Sequence, residues 1–113
     1  MKYIVELNMC CYHSQVGQYT YPLCFSEIEA GSPREAAEIF AGEEVTNNIF
    51  ENNVWFFDFA NPKYRKFGIM VVGGNPREVE RIRLRQKNRS TYKEINNITA
   101  SKFIELLQNQ ERN

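Results

Sequence analysis

From Tyr3 to Tyr12 the chain alternates strictly between two sets of residues. Tyr3, Val5, Leu7, Met9 and Cys11 fall on one side, and Ile4, Glu6, Asn8, Cys10 and Tyr12 on the other. A period of two sends successive side chains to opposite faces of an extended backbone, so this segment predicts a half-buried strand whose apolar face must be covered by a second layer. Residues 13–18 (HSQVGQ) are polar and contain Gly17, which marks a loop, and residues 19–29 resume the alternation with Tyr21, Leu23 and Phe25 on one face. A hairpin folded near Gly17 would pair Cys11 with Leu23 and Met9 with Phe25, and would set Cys10 beside Cys24.

The segment Gly31-Ser32-Pro33-Arg34-Glu35 is a helix start signal. Ser32 can accept from the amide three residues on, Pro33 occupies the first helical position without losing a needed donor, and Glu35 can bond back to Ser32. Ala36, Ala37, Phe40, Ala41, Val45 and Ile49 then share one side of a helix reaching toward Asn52, with a break at Gly42 as the alternative. Residues 54–60 (VWFFDFA) read as a strand, Asn61-Pro62-Lys63-Tyr64 as a turn, and residues 65–72 as the return strand, with Phe56 opposite Ile69 and Val54 opposite Val71. The start signal recurs as Gly74-Asn75-Pro76-Arg77-Glu78, which predicts a helix over 76–87. Residues 80–87 (ERIRLRQK) nevertheless alternate, with Ile82 and Leu84 against Arg81, Arg83 and Arg85, and this favours a third meander strand. Thr99 caps a last helix with Ala100, Phe103, Ile104 and Leu107 as its apolar stripe, and the tail 108–113 is expected to fray.

No segment rich in Gly, Ser or Pro divides the 113 residues, of which 42% are hydrophobic and 25% charged. This is enough for one domain with a modest core. The expected fold is α+β: a mainly antiparallel sheet of four or five strands, built from an N-terminal hairpin and a meander, with two helices packed on one face. No apolar run is long enough to cross a membrane. Three cysteines, an odd number with no secretory segment before them, suit free thiols in the cytoplasm.

Charge is balanced overall but not along the chain. Residues 1–60 hold two basic and nine acidic side chains, and residues 61–113 hold twelve basic and five acidic ones. Such asymmetry points to a nucleic-acid surface, to an acidic surface for a basic partner, or to copies of the chain associating through opposite halves. If 54–60, 65–72 and 79–87 formed a meander, its outer face would carry Trp55, Phe57, Phe59, Lys66, Arg81, Arg83 and Arg85, with Lys63 and Arg65 at the turn. Rings that stack bases beside guanidinium groups that neutralise phosphate suit nucleic acid or a nucleoprotein. The mirrored reading uses Glu35, Glu38, Glu43 and Glu44 of the predicted helix, as a protein-binding inhibitor of the phage or mobile-element type would.

Catalytic signals are thin. Cys10, Cys11, His13 and Cys24 are the only soft-ligand cluster, but they lack C-x-x-C spacing, and adjacent cysteines on a strand point to opposite faces. A thiol nucleophile would have His13 as its only histidine partner, with no orienting group evident. Gly73-Gly74 before Asn75-Pro76 resembles an anion nest at a helix start, without a G-K-[ST] or G-x-G-x-x-G pattern. The expectation is a small non-catalytic binding or regulatory protein without metal or cofactor, and a thiol- or metal-dependent enzyme is the remaining alternative.

Overall fold

The computed structural model describes the backbone of all residues except 14, 16, 74, 75, 112 and 113. It describes side chains except those of residues 11–13, 18, 19, 47, 76, 78 and 111 as well. The elements are β1 (Lys2–His13), β2 (Gly17–Glu29), α1 (Pro33–Ala41), β3 (Val45–Glu51), β4 (Val54–Phe59), β5 (Phe67–Val72), α2 (Pro76–Asn88), β6 (Lys93–Glu94) and α3 (Ala100–Glu111). The strands form one sheet in the order β3-β4-β5-β1-β2-β6. All pairs are antiparallel except β2 with β6. The class is α+β, as expected, but the sheet is larger than four or five strands and mixed.

β1 lies inside the sheet, and residues on both its faces are buried. Tyr3, Val5 and Leu7 enter the main core with Ala36, Ala37 and Phe40 of α1 and Ala100 and Ile104 of α3. Ile4 points the other way, into a smaller core with Phe25, Val54, Val72, Ile82 and Tyr92. Helices therefore cover both faces: α1 and α3, the two expected helices, share one face, and α2, a third helix, lies on the other. The two helices that the recurring start signal opens, α1 and α2, thus lie on opposite faces of the sheet.

Four local readings need correction. First, the hairpin register differs. Leu7 faces Cys24 and Asn8 faces Pro22, with a bulge between, and Cys10 faces Thr20. Cys24 is buried in the main core while Cys10 is exposed, so the two thiols are not neighbours. β6 pairs with β2 only at Cys24 and Phe25, so Pro22 lies where β2 is itself an edge and its missing N–H costs no bond to β6.

Second, the helix does not reach Asn52. Ser32 caps α1 by accepting from the Glu35 amide at 3.1 Å, while the Glu35 carboxylate accepts from the Gly31 amide rather than that of Ser32. Gly42 ends α1 at φ 73°, in the left-handed region, and its N–H donates to the Glu38 carbonyl at 2.9 Å. The chain then forms β3. Glu51 pairs with Val54 across Asn52 and Asn53, whose φ values of 54° and 64° are those of a two-residue type I′ turn.

Third, β4 and β5 pair one residue away from the expected register, with Val54 opposite Val72, Phe56 opposite Met70 and Phe57 opposite Ile69. The connecting 3-10 turn at Pro62–Tyr64, capped by Asn61, sets this count. Since the side-chain period is two, the slip carries Phe57 and Phe59 to the α1 side of the sheet.

Fourth, residues 76–88 are helical. β5 already pairs with β4 on one side and β1 on the other, so no edge is left for a third meander strand. Alternation needs Ile82 and Leu84 buried together, yet Leu84 is 49% exposed while Ile82 is buried. At the C-terminus, α3 runs from Ala100 through Glu111. Lys102 N–H donates to its cap Thr99 Oγ1 at 3.3 Å.

A Cβ at Gly42 would stand 2.6 Å from Thr99 Cγ2 on a backbone that already disfavours L side chains. Gly42→Ala should therefore lower stability by about 1–3 kcal/mol in urea unfolding. An unchanged midpoint would show that the α1–α3 junction does not depend on this glycine.

Candidate functional site

The smaller core is built around a charge. Glu6 sits on β1, is 1% exposed, and faces α2. Its Oε2 accepts from Arg85 Nη1 and from the Tyr92 hydroxyl, each at 2.5 Å. Tyr92 stacks on Phe25 with ring centroids 5.1 Å apart, and the Arg85 guanidinium lies 5.8 Å from the Tyr92 ring. A carboxylate this deep requires compensation, and one full charge plus a phenol supplies it. Burial opposes the charge of Arg85, but the charge of Glu6 and its hydrogen bond outweigh this and hold the guanidinium pKa above its ordinary value. Burial raises the Tyr92 phenol, and Glu6 raises it further.

This pair and the apolar contacts of Val79 and Ile82 fix the orientation of α2. Arg77, Arg81, Arg83 and Lys87 are exposed on the helix, and exposed Arg89 and Lys93 follow it. Arg89 lies 4.8 Å from the ring centroid of Tyr21 on β2. Arg77, Arg81 and Arg85 are spaced four apart and share one flank of α2.

That flank borders a groove on the sheet, made of two adjoining cavities of about 310 Å³ each. Both are lined by Phe56, Met70, Arg81 and Arg85. One continues past Glu51 and Asn52 at the β3–β4 turn, and the other past Asn8, Cys10, Thr20, Asp58 and Gly68.

The expected aromatic platform is not assembled. Phe57 and Phe59 are 2% and 5% exposed, within the main core beneath α1. Trp55 is half-buried on that same side, edge-on to Tyr3 and tilted against the exposed Phe50 with ring centroids 4.8 Å apart. Lys63 is drawn to α3, 3.3 Å from Glu105, which also accepts from the Tyr64 hydroxyl at 3.1 Å. Arg65 and Lys66 are exposed at the far end of β5. Of the three arginines, Arg81 and Arg83 are exposed and Arg85 is held by Glu6.

The acidic set is also dispersed. Glu35 and Glu38 are on α1, Glu38 lying 4.0 Å from Arg34, whereas Glu43 and Glu44 follow the helix. Glu43 accepts from the Asn61 amide at 3.2 Å. The side chains of Cys11 and His13, and the Gly74-Asn75 part of the suggested anion nest, lie outside the described residues.

Glu6, Tyr92, Phe56, Arg77, Lys87 and Arg89 were not among the residues that sequence reasoning selected. The usable signal was the second start box, which makes Arg77, Arg81 and Arg85 neighbours only if 76–87 is a helix. No family model matches the chain, and neither a curated protein nor a solved structure matches it.

Two predictions follow from these groups. Arg85→Met strands the Glu6 charge and should cost about 3–5 kcal/mol in chemical denaturation, while Glu6→Gln/Arg85→Met should recover most of the loss. An equally damaged double variant would show that α2 does not depend on this pair. The second prediction concerns alkaline pH. Burial and the Glu6 charge push the Cys24 thiol from 9.0 up to about 12. Burial and the bond to Glu105 push the Tyr64 phenol from 10.0 up to about 12. Both raised values favour the protonated fold, so their stabilisation is complete below the unfolded values and is lost as pH rises through the folded ones. Stability should hold to about pH 9 and fall between there and about pH 12. Tyr64→Phe should shrink the fall above about pH 10, and an unaltered fall in that variant would remove Tyr64 from the account.

Proposed function

We propose that this chain is a small non-catalytic binding or regulatory protein that docks helix α2 on the phosphate backbone of a nucleic acid. The observation that carries the reading is the way α2 is seated. Val79, Ile82 and the Arg85–Glu6 pair hold one side of it, so Arg83 and Lys87 are displayed on a rigid element, with Arg89 and Lys93 beyond its end. Cations at fixed spacing on a seated helix match a regular array of phosphates and release condensed counterions on contact. The interface is thus a helix rather than the aromatic sheet face that alternation suggested. A reducing compartment such as the cytoplasm suits the Cys24 thiol, which is buried in the main core. The acidic side gives less support to a protein-inhibitor reading, since Glu38 and Glu43 are engaged within the chain.

Fluorescence anisotropy with labelled oligonucleotides across a salt series tests this. Affinity should fall steeply with salt, and Arg83→Gln/Lys87→Gln should weaken binding for every sequence and lower the log–log salt slope by about two. No binding at low salt, or an unchanged slope in the variant, would overturn the proposal.

A further inference from the structure

The groove beside α2 is left open by a glycine that the fold does not require. On this face of the sheet, Ile49, Phe56, Met70 and Glu6 stand in register across β3, β4, β5 and β1, and Asp58, Gly68 and Asn8 form the next row. Gly68 is the second residue of β5, and glycine within a strand weakens it. Its φ is not positive, and a Cβ built on it would meet only the Phe57 carbonyl oxygen at 3.7 Å and Cys10 Sγ at 4.0 Å. These are ordinary contacts, so neither backbone geometry nor packing excludes a side chain. Its lack of one deepens the floor between Asp58 and Asn8, beside the Phe56 ring, which is 40% exposed.

We propose that this groove receives one unpaired nucleotide of a single strand, with its base against Phe56 and Met70 and its phosphate toward the basic helix α2. The inference rests on the docking of α2 proposed above. The floor offers a flat ring and a thioether to a planar face. Asn8, Thr20 and Asn52 offer hydrogen-bond donors and acceptors at the rim, the mixture that a base edge presents and an aliphatic chain does not. Arg81 lines both cavities from the helix that carries the other cations, so phosphate and base would be engaged on two sides of one wall. Cavities of about 310 Å³ fall at the lower end of the range for small-ligand sites. A base in a duplex is stacked on both faces and cannot enter, so the groove would confer a preference for single strands.

The test compares a single-stranded oligonucleotide, an abasic strand of the same length and the corresponding duplex at one salt concentration, using the full chain. The wild type should bind the intact strand about 5- to 160-fold more tightly than the abasic one, the range that one stacked base commands. Gly68→Val, which suits a strand and fills the floor, should keep the circular dichroism spectrum and the salt slope but lose this preference. Phe56→Ala, a truncation at a partly exposed site, should reduce it in the same direction. Equal binding of intact and abasic strands, or a preference that survives Gly68→Val, would overturn the groove proposal and leave the docking of α2 standing. No binding of any strand at low salt would overturn both.

Discussion

A carboxylate on the innermost strand organises one whole side of this molecule. Glu6 alternates with Val5 and Leu7, so the register that buries those two in the main core sends Glu6 to the opposite face. Leaving it there without a counter-charge would cost several kcal/mol. Arg85 and Tyr92 provide the compensation, and by doing so they set where α2 lies and where the following segment returns to the sheet. Two apolar side chains, Val79 and Ile82, would specify that placement poorly, since apolar contact is not directional. The hydrogen-bonded pair supplies direction, and the outward display of the remaining cations follows from it.

The two faces of the sheet differ for the same reason. α1 and α3 seal one face with alanines, Phe40 and Ile104, which bring helix and sheet close together. A single helix on the other face covers only part of a six-stranded sheet. The uncovered rows around Phe56, Met70 and Gly68 become a groove whose wall is the basic flank of α2. Anchoring and recognition are thus linked, because Arg85, which seats the helix, lines both cavities together with Arg81 one turn away.

Much of the local structure was legible in residue order. The alternation of 3–12, the Ser32-Pro33 start of α1, the strands around Trp55 and Ile69 and the Thr99 cap rest on interactions within a few residues of one another, and these form regardless of what surrounds them. The Asn52-Asn53 turn was legible too, as a pair that tolerates positive φ between two apolar stretches, although the helical stripe drawn through Val45 and Ile49 masked it. The conflict at 76–88 was real: capping favoured a helix and periodicity a strand. It was decided by sheet order, since both neighbours of β5 are taken.

The sequence alone determined the class of fold, the places where helices begin and the concentration of positive charge in its second half, because composition, caps and short-range periodicity act locally. Only the tertiary structure decided which way that charge faces. One residue of register in β4–β5 moved Phe57 and Phe59 from a supposed docking face into the core, and one buried carboxylate chose which arginine turns inward. Register and charge pairing depend on partners as many as 79 residues away in the chain, and no local pattern encodes a distance of that kind.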